Sequence, residues 1–320
     1  MKTTRLITLA AAGVLAIAAI GPVAAQDAEM VEVGAAADAK LFVNMKGPGA
    51  GNPFWAAVEQ GAVEAGEAYG VDVTVLAPPT ESDVTAQIAQ MEDAVTQGAG
   101  GIAVAPTDPE ALAPAIDSAL EAGGKVVFVD SNGSNEGVTC IGTNNEVGAA
   151  LAGQYLCDNV PEGGKVAILQ GIISTSTGIL RADGARAAVT ECGLDLVAEL
   201  PADWDTPKGQ AVTEDILTQH PDLAGLFASN DNMALGALEA LRLQGLLDQV
   251  VLVGFDANPN AAQAIMAGEM EATIAQNPYN MGWLSVESMI RLINGETLEP
   301  VIDTGTVLVD ASNAAEYAGS

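Results

Sequence analysis

The chain repeats one local pattern along most of its length: a short apolar run, then a longer amphipathic stretch, then another apolar run. Short apolar runs that alternate with helix-length segments are typical of a parallel sheet covered by helices on both faces. The first series predicts strands over 41–45, 71–76, 101–105, 126–130 and 138–141, and helices over 53–69, 83–97 and 109–122.

Residues at the ends of these predicted helices support the assignment. Asn52 precedes Pro53, which places a good N-cap residue before a proline at the first helical position. Gly70, Gly98 and Gly123 follow the three helices. Glycine is common just after a helix, where the backbone often turns left-handed.

The pattern then starts again and predicts a second lobe. Helices are expected over 146–159, 178–191, 207–219, 231–243 and 258–267, and strands over 165–170, 195–200, 223–228, 250–255 and 271–275. A last helix over 281–293 and a strand near 301–309 complete the chain. The fold class is therefore α/β, with two doubly wound parallel-sheet lobes, one of residues 40–143 and 277–299, the other of 144–276 and 300–320. A hinge is expected near Thr143, Gln276 and Pro300, with a ligand in the cleft between the lobes.

The first 25 residues have the features of a secretory signal peptide. Lys2 and Arg5 precede an apolar run of about 15 residues, and small residues at 23–25 fit a cleavage site. An anchoring helix is the alternative, but the run is short for the roughly 20 residues that span a bilayer. The mature chain is expected to be exported to the periplasm, and residues 26–39 are expected to form a flexible leader.

Charge and composition disfavour several classes of function. The sequence holds 11 Lys and Arg against 42 Asp and Glu, and its formal charge of −31 repels nucleic acid and anionic lipid. A single histidine leaves little for a metal cluster or a histidine-based triad, so no metal and no cofactor are expected. The glycine-rich loop at 47–51 lacks the spacing of a dinucleotide-binding fingerprint.

The three cysteines leave two interpretations open. In an exported protein they can be oxidised, and three residues allow at most one internal pair. Cys157 and Cys192 lie near the ends of two helices that flank one strand, which makes them a candidate pair. Alternatively, all three cysteines, including Cys140, are buried thiols that act as small apolar side chains.

Candidate binding residues follow the predicted strands, because ligands of open parallel sheets bind beyond the carboxyl ends of the strands. Asp130 and Asp256 each follow a buried apolar strand, one in each lobe. They could accept hydroxyl groups across the cleft, cap a helix or form a turn, or act as a glycosidase pair. Trp55 and Trp204 could stack on the C–H faces of a sugar, or one could pack in the core. A polyhydroxyl ligand fits this mixture of acids, amides and rings.

The same stretches resemble the periplasmic sugar-binding proteins of ABC importers, of the type I class and closest to the ribose-binding branch. The resemblance covers nearly all of the mature chain. It is carried by the sequences NPFW at 52–55, APTD at 105–108, LQGI at 169–172, PADWD at 201–205, NDNMALGA at 230–237, VGFD at 253–256 and ATIAQ at 272–276.

The resemblance implies a set of ligand contacts and also some departures from the family pattern. The implied contacts are Asn52, Phe54, Trp55, Asp130, Trp204, Asn230, Asp256 and Gln276. The ribose-binding pattern has an amide at the position of Ala105 and arginines at those of Ser131 and Ile179, whereas this chain keeps only Arg181 nearby. The loss of those cations argues against ribose itself. Lys46, Ser131 and Arg181 join the predicted contacts, because the stretches around Lys46 and Ser131 resemble relatives that bind rhamnose or autoinducer-2.

These observations predict the solute-binding component of an ABC importer, which captures a small neutral sugar, deoxy sugar, polyol or cyclitol and delivers it to a permease. Binding of a signalling molecule such as autoinducer-2, or docking to a chemoreceptor, is the alternative. A sugar-responsive repressor would need a basic DNA-binding segment where this chain has its apolar leader. The chain is expected to be a monomer and not an enzyme.

Overall fold

The computed structural model describes residues 30–319, in which strands and helices alternate. The first series is β1 (Lys40–Asn44), α1 (Pro53–Tyr69), β2 (Asp72–Leu76), α2 (Val84–Thr96), β3 (Gly101–Val104), α3 (Pro109–Glu121), β4 (Lys125–Val129) and β5 (Cys140–Gly142). The second series is α4 (Asn145–Asn159), β6 (Lys165–Gln170), α5 (Ser176–Glu191), β7 (Asp195–Pro201), α6 (Thr206–Gln219), β8 (Leu223–Ala228), α7 (Asp231–Gln244), β9 (Val251–Val253), α8 (Pro259–Met266) and β10 (Ala272–Ala275). The chain continues through α9 (Pro278–Ile293), β11 (Val301–Asp303) and β12 (Val307–Asp310).

The strands form two six-stranded sheets of related topology. The first has the order β11-β5-β4-β3-β1-β2, and the second has the order β12-β10-β9-β8-β6-β7. Neighbouring strands are parallel except for β12, which pairs antiparallel to β10. In each sheet the strand order reverses next to the first strand of the series, and this reversal opens a crevice at the carboxyl ends of the strands.

Helices cover both faces of each sheet, which explains the nearly continuous apolar strands. In β1, Leu41 and Val43 pack with α1 and α9, whereas Phe42 packs with α2 and α3 on the other face. The second sheet is covered by α6, α7 and α8 on one face and by α4 and α5 on the other. The lobes are therefore two separate cores whose strand ends meet at the cleft.

The predicted boundary between the lobes is wrong near the end of the chain. Val301–Asp303 was assigned to the second lobe, but it forms β11 and pairs with Cys140–Gly142 in the first sheet. The pairing satisfies the open edge of β5, where Cys140 donates its N–H to the carbonyl of Pro300 at 3.0 Å. The predicted single strand near 301–309 is thus two strands in different sheets, and the chain crosses between lobes at 304–306 instead of near Pro300.

The prediction of a flexible leader is also wrong for its described part. Residues 34–36 form a short 3-10 helix, Ala36 is fully buried, and Val31 and Val33 pack on the first lobe. Asn294 ties the segment down, since its side chain accepts from the N–H of Ala35 and donates to the carbonyl of Glu32, both at 2.8 Å. The predicted signal peptide and residues 26–29 lie outside the described residues.

The structure decides between the two interpretations of the cysteines. Cys157 and Cys192 form a disulfide that joins the last turn of α4 to the end of α5 within the second lobe. Cys140 is a buried free thiol in β5. Among residues 30–319, no helix combines the length and the apolar character that a membrane crossing requires.

Candidate functional site

A cavity between the lobes, called the cleft cavity below, lies at the carboxyl ends of both sheets. About 310 Å³ within its outline is free of protein atoms, a figure that includes space open to solvent. Twelve residues line it: Lys46, Asn52, Phe54, Trp55, Glu81, Asp130, Thr177, Arg181, Trp204, Asn230, Asp256 and Gln276. The structure thus brings together every predicted contact residue except Ser131, which is buried and bonds to Lys46.

Asp130 and Lys46 form a buried ion pair on the side of the first lobe. Lys46 Nζ lies 2.8 Å from Asp130 Oδ2, and the two side chains are 3% and 5% exposed. Lys46 also donates to the hydroxyl of Ser131 and, at 3.2 Å, to that of Thr177. The bonds to Asp130 all use Oδ2, including one from the hydroxyl of Ser131 at 2.9 Å. Lys46 therefore uses its three donors on described protein groups, and Asp130 Oδ1 has no bond from residues 30–319.

Asp256 and Arg181 form the corresponding pair in the second lobe. The guanidinium of Arg181 lies 3.5 Å from Asp256 Oδ1 and stacks 3.8 Å from the ring centroid of Phe255. It also donates to Asn145 Oδ1 at 2.7 Å and to the carbonyl of Ser229 at 2.8 Å. Arg181 is thus held by protein groups, as Lys46 is.

The burial of this second pair changes its protonation equilibria. Desolvation raises the pKa of Asp256 from 3.8 to about 7, although Arg181 and the amide of Gln276 favour its charged form. Burial also lowers the pKa of Arg181, while Asp256 and Asp130 oppose that change. Gln276 Nε2 donates to Asp256 Oδ1 at 2.6 Å, and its Oε1 is buried without a partner. Asp256 Oδ2 and Gln276 Oε1 are therefore acceptors that the described protein groups leave unused.

The cations of the cleft cavity come from two of the predicted contact residues. Ile179, one of the two positions at which the resemblance implies a lost arginine, is exposed. Lys46 and Arg181 nevertheless bring two cations into the cleft cavity from other positions. The argument against ribose stays a prediction.

Glu81 is a cavity residue that sequence reasoning missed. Its Oε1 accepts from Asn52 Nδ2 and from Trp55 Nε1, both at 3.0 Å. Burial raises the pKa of this carboxyl, with Lys46 and the Trp55 bond opposing the change. Glu81 lies in the loop after β2, beyond a strand whose end carries Ala77 and Pro78. Its place after a strand was the one signal that could have found it.

Thr177 follows β6, as the predicted contacts follow their strands, but is not among them, and it lies in a helix, α5, that begins earlier than predicted. Thr175 caps the helix by accepting from the N–H of Gly178 at 3.1 Å, so the helix starts at Ser176 and not at 178. Its first turn thereby presents Ser176 and Thr177 to the first lobe. Thr177 accepts from Lys46, and Ser176 Oγ accepts from the N–H of Asn132 at 2.9 Å. These bonds join the two lobes directly, and the cleft is closed in this structure.

Each lobe contributes aromatic rings to the cavity. Phe54 and Trp55 from α1 lie edge to face, with ring centroids 4.9 Å apart. Trp204 follows β7 and packs over Gly171, where a Cβ would lie 2.0 Å from the indole ring. Only glycine fits at position 171 for this reason. The prediction that Trp55 and Trp204 cover opposite faces of the ligand stays a prediction.

The two asparagines that were predicted to contact the ligand, Asn52 and Asn230, also form hydrogen bonds within the protein. Asn52 accepts from the N–H of Phe54 and caps α1, while its amide nitrogen donates to Glu81. Asn230 accepts from the N–H of Met233 at 2.9 Å and caps α7. Both residues line the cavity with much of their hydrogen-bonding capacity already in use.

Backbone strain marks the same region. Asp130, Trp204 and Asp256 have positive φ angles of 63°, 65° and 124°. Residues other than glycine adopt such angles at a cost of about 1–3 kcal/mol, and they concentrate at functional sites. In each case the unusual backbone turns a side chain at the end of a strand into the cleft.

The sequence that forms these lobes also matches a known protein family. The sequence fits the family described as periplasmic binding protein domain over residues 45–297, which is most of the chain. The chain belongs to the periplasmic binding protein family. This confirms the predicted resemblance and the fold class of two α/β lobes.

Individual relatives of this periplasmic binding protein are named as binding proteins, and two of the three below are named for import or an ABC transporter. The chain is 35% identical over 249 residues to the ribose import binding protein of Escherichia coli, covering 78% of this chain and 83% of that one. A periplasmic solute-binding protein of an ABC transporter from Actinobacillus succinogenes, solved with D-allose, has a TM-score of 0.82 at 29% identity, covering 88% and 100%. The Caulobacter myo-inositol binding protein, solved with myo-inositol, has a TM-score of 0.80 at 30% identity, covering 87% and 95%. These relatives are binding proteins, which confirms that the chain is not an enzyme.

Proposed function

We propose that this periplasmic binding protein is the solute-binding component of an ABC importer, and that it captures a small polyhydroxyl ligand between its lobes. The observation that carries the proposal is the cleft cavity, where two buried acids from different lobes each keep one oxygen without a bond from the part of the chain that the structure describes. Relatives that bind ribose, allose or inositol support the same class of ligand.

Binding follows from the chemistry of the lining residues. Ligand hydroxyls donate to Asp130 Oδ1 and Asp256 Oδ2, and Gln276 Oε1 accepts a further one. Phe54 and Trp55 from one lobe and Trp204 from the other contact the apolar C–H groups of the ring. Because these groups belong to both lobes, the ligand binds the closed form more tightly than the open one.

Closure is a hinge motion at the three places where the chain crosses between the sheets. These are residues 143–144, 276–277 and 304–306, between β5 and α4, after β10, and between β11 and β12. Closed lobes present a joint surface that a permease recognises. The apolar sequence at 1–25, predicted to be a signal peptide, supports export to the periplasm. The protein acts there as a monomer.

A thermal-shift screen of the mature protein against monosaccharides, sugar alcohols and cyclitols tests the proposal. A ligand at 100 times its Kd stabilises the folded form by about 2.7 kcal/mol, so a true ligand raises Tm in a concentration-dependent way. The double variant Asp130→Ala/Asp256→Ala is the control, and it should show no such rise. A screen in which no compound of these classes raises Tm contradicts the proposal.

A further inference from the structure

The ion pairs of the cleft cavity leave one of its acids without a cation partner. Its lining residues include three acids, Glu81, Asp130 and Asp256, and two bases, Lys46 and Arg181. Lys46 pairs with Asp130 at 2.8 Å, and Arg181 pairs with Asp256 at 3.5 Å. Glu81 is left as the acid without a counter-ion.

Neither cation forms an ion pair with Glu81. Lys46 is held by Asp130, Ser131 and Thr177, which matches the three donors of an ammonium group. Arg181 is held by Asp256, by the side chain of Asn145 and by the carbonyl of Ser229, through Nε and Nη1. None of the ion pairs among residues 30–319 includes Glu81, so both cations act on it only over longer distances.

The immediate partners of Glu81 are neutral and occupy one oxygen. Asn52 and Trp55 both donate to Oε1, which leaves Oε2 without a bond from the described residues. A carboxylate that loses water without gaining a counter-ion is costly. Burial accordingly raises the pKa of Glu81. A cation delivered to this point by a ligand would remove that cost.

Aromatic rings surround Glu81, and cations of the protein already lie near two of them. Lys46 Nζ is 5.9 Å from the ring centroid of Trp55, and the guanidinium of Arg181 is 5.6 Å from that of Trp204. Trp55 bonds directly to the carboxylate, and Phe54 and Trp204 line the same cavity. The faces of aromatic rings attract ammonium groups through their quadrupoles. We infer that the ligand carries a protonated amine, that this amine pairs with Glu81, and that the site thereby selects an amino-substituted polyol over the hydroxyl parent.

The inference rests on the proposed function and is tested with matched pairs of ligands. Calorimetry at neutral pH compares D-glucose with D-glucosamine, D-galactose with D-galactosamine, and myo-inositol with its amino-deoxy derivatives. In at least one pair the amino compound should bind ten times more tightly or better, a difference of about 1.4 kcal/mol. Glu81→Gln keeps an acceptor for Asn52 and Trp55. In this variant the affinity of the amino compound divided by that of its hydroxyl parent should fall to about one.

Glu67→Gln is the matched control, because Glu67 is an exposed acid on α1 with no side-chain partner among residues 30–319. It should keep the preference for the amino compound. If hydroxyl parents bind as tightly as the amino compounds in every pair, or if Glu81→Gln keeps the preference, the inference is overturned and the proposed function stands. If neither member of any pair binds, the inference is overturned, and the thermal-shift screen still decides the proposed function. If Glu81→Gln unfolds at too low a temperature to be measured, the affinity ratio of amino compound to hydroxyl parent in the unaltered protein still decides the inference.

Discussion

At the scale of single residues, Asp130 and Asp256 hold equivalent positions in unlike surroundings. Each follows an apolar strand and has a left-handed backbone. Asp130 has a direct lysine partner at 2.8 Å, whereas the guanidinium beside Asp256 lies at 3.5 Å and is shared with Asn145 and Ser229. Two acids of the same type at equivalent positions therefore have different ion-pair partners at different distances.

Removing either acid should weaken ligand binding. A hydrogen bond to a charged group contributes about 1.5–3 kcal/mol, so Asp130→Ala or Asp256→Ala should raise Kd at least tenfold. Calorimetry with a ligand found in the screen measures the change. Asp195→Ala, which alters an exposed acid at the start of β7, serves as the control. Unchanged affinity in both cavity variants would mean that neither acid contacts the ligand.

The raised pKa of Asp256 should make the stability of the ligand-free protein depend on pH. Between about pH 4 and pH 7 the native carboxyl holds a proton that the unfolded chain has already released. Its stabilising contribution is therefore complete below pH 4 and is lost as the pH rises through about 7. Asp256→Asn should remove this decline from a plot of Tm against pH.

Comparing the plots of Tm against pH for Asp256→Asn and the unaltered protein separates the effect of Asp256 from that of the other buried acids. Asp195→Asn should leave the shape of the plot unchanged, since that side chain is exposed. A decline of the same size in Asp256→Asn and in the unaltered protein would assign it to another group, such as the buried Asp231, whose pKa burial also raises.

At the scale of elements, the first turn of α5 acts as a contact between the lobes. Ser176 and Thr177 accept bonds from Asn132 and Lys46 of the first lobe. These bonds require no ligand, so they stabilise the closed form of the empty protein. Each is expected to contribute about 0.5–1.5 kcal/mol to that equilibrium.

The double variant Ser176→Ala/Thr177→Val should shift the ligand-free protein toward the open form. Small-angle X-ray scattering should then show a larger radius of gyration without ligand, and the same radius as the unaltered protein when ligand is saturating. Thr218→Val is the control, because Thr218 bonds only within α6, to the carbonyl of Glu214. Equal radii for the ligand-free double variant and the unaltered protein would contradict a role for this turn in closure.

At the scale of the whole molecule, the two lobes differ in how they are stabilised. The second lobe has a covalent link between α4 and α5, while the cysteine of the first lobe is a buried thiol. A disulfide that closes a loop of this length typically adds about 2–4 kcal/mol to stability. The link lies at the far ends of α4 and α5 from the residues that line the cleft cavity.

Loss of the disulfide should therefore lower stability and leave binding intact. Cys157→Ser/Cys192→Ser should melt several degrees earlier than the oxidised protein and bind ligand with the same affinity at a temperature where it is folded. Reductant should lower the Tm of the unaltered protein to that of the variant and leave the variant unchanged. A Tm that is insensitive to reductant in both proteins would contradict the prediction.

The sequence by itself determined the order of elements and the positions at the strand ends. Local patterns suffice for these, because apolar periodicity and caps act within a few residues. Helix α1 and strands β6 and β8 have the predicted bounds. Asp130, Trp204, Asp256 and Gln276 could be predicted as cavity residues because parallel strands bring their carboxyl ends to one edge.

Only the tertiary structure decided which of those residues are paired and which remain available. Lys46 reaches Asp130 and Thr177 across 84 and 131 positions of sequence, and β11 pairs with β5 from about 160 positions away. Glu81 enters the cavity through a loop that carries no periodic signal. Such contacts depend on packing between distant segments, and no local pattern encodes the distance between two side chains. The charge balance of the cavity, and with it the unpaired carboxylate of Glu81, therefore follows from the folded chain alone.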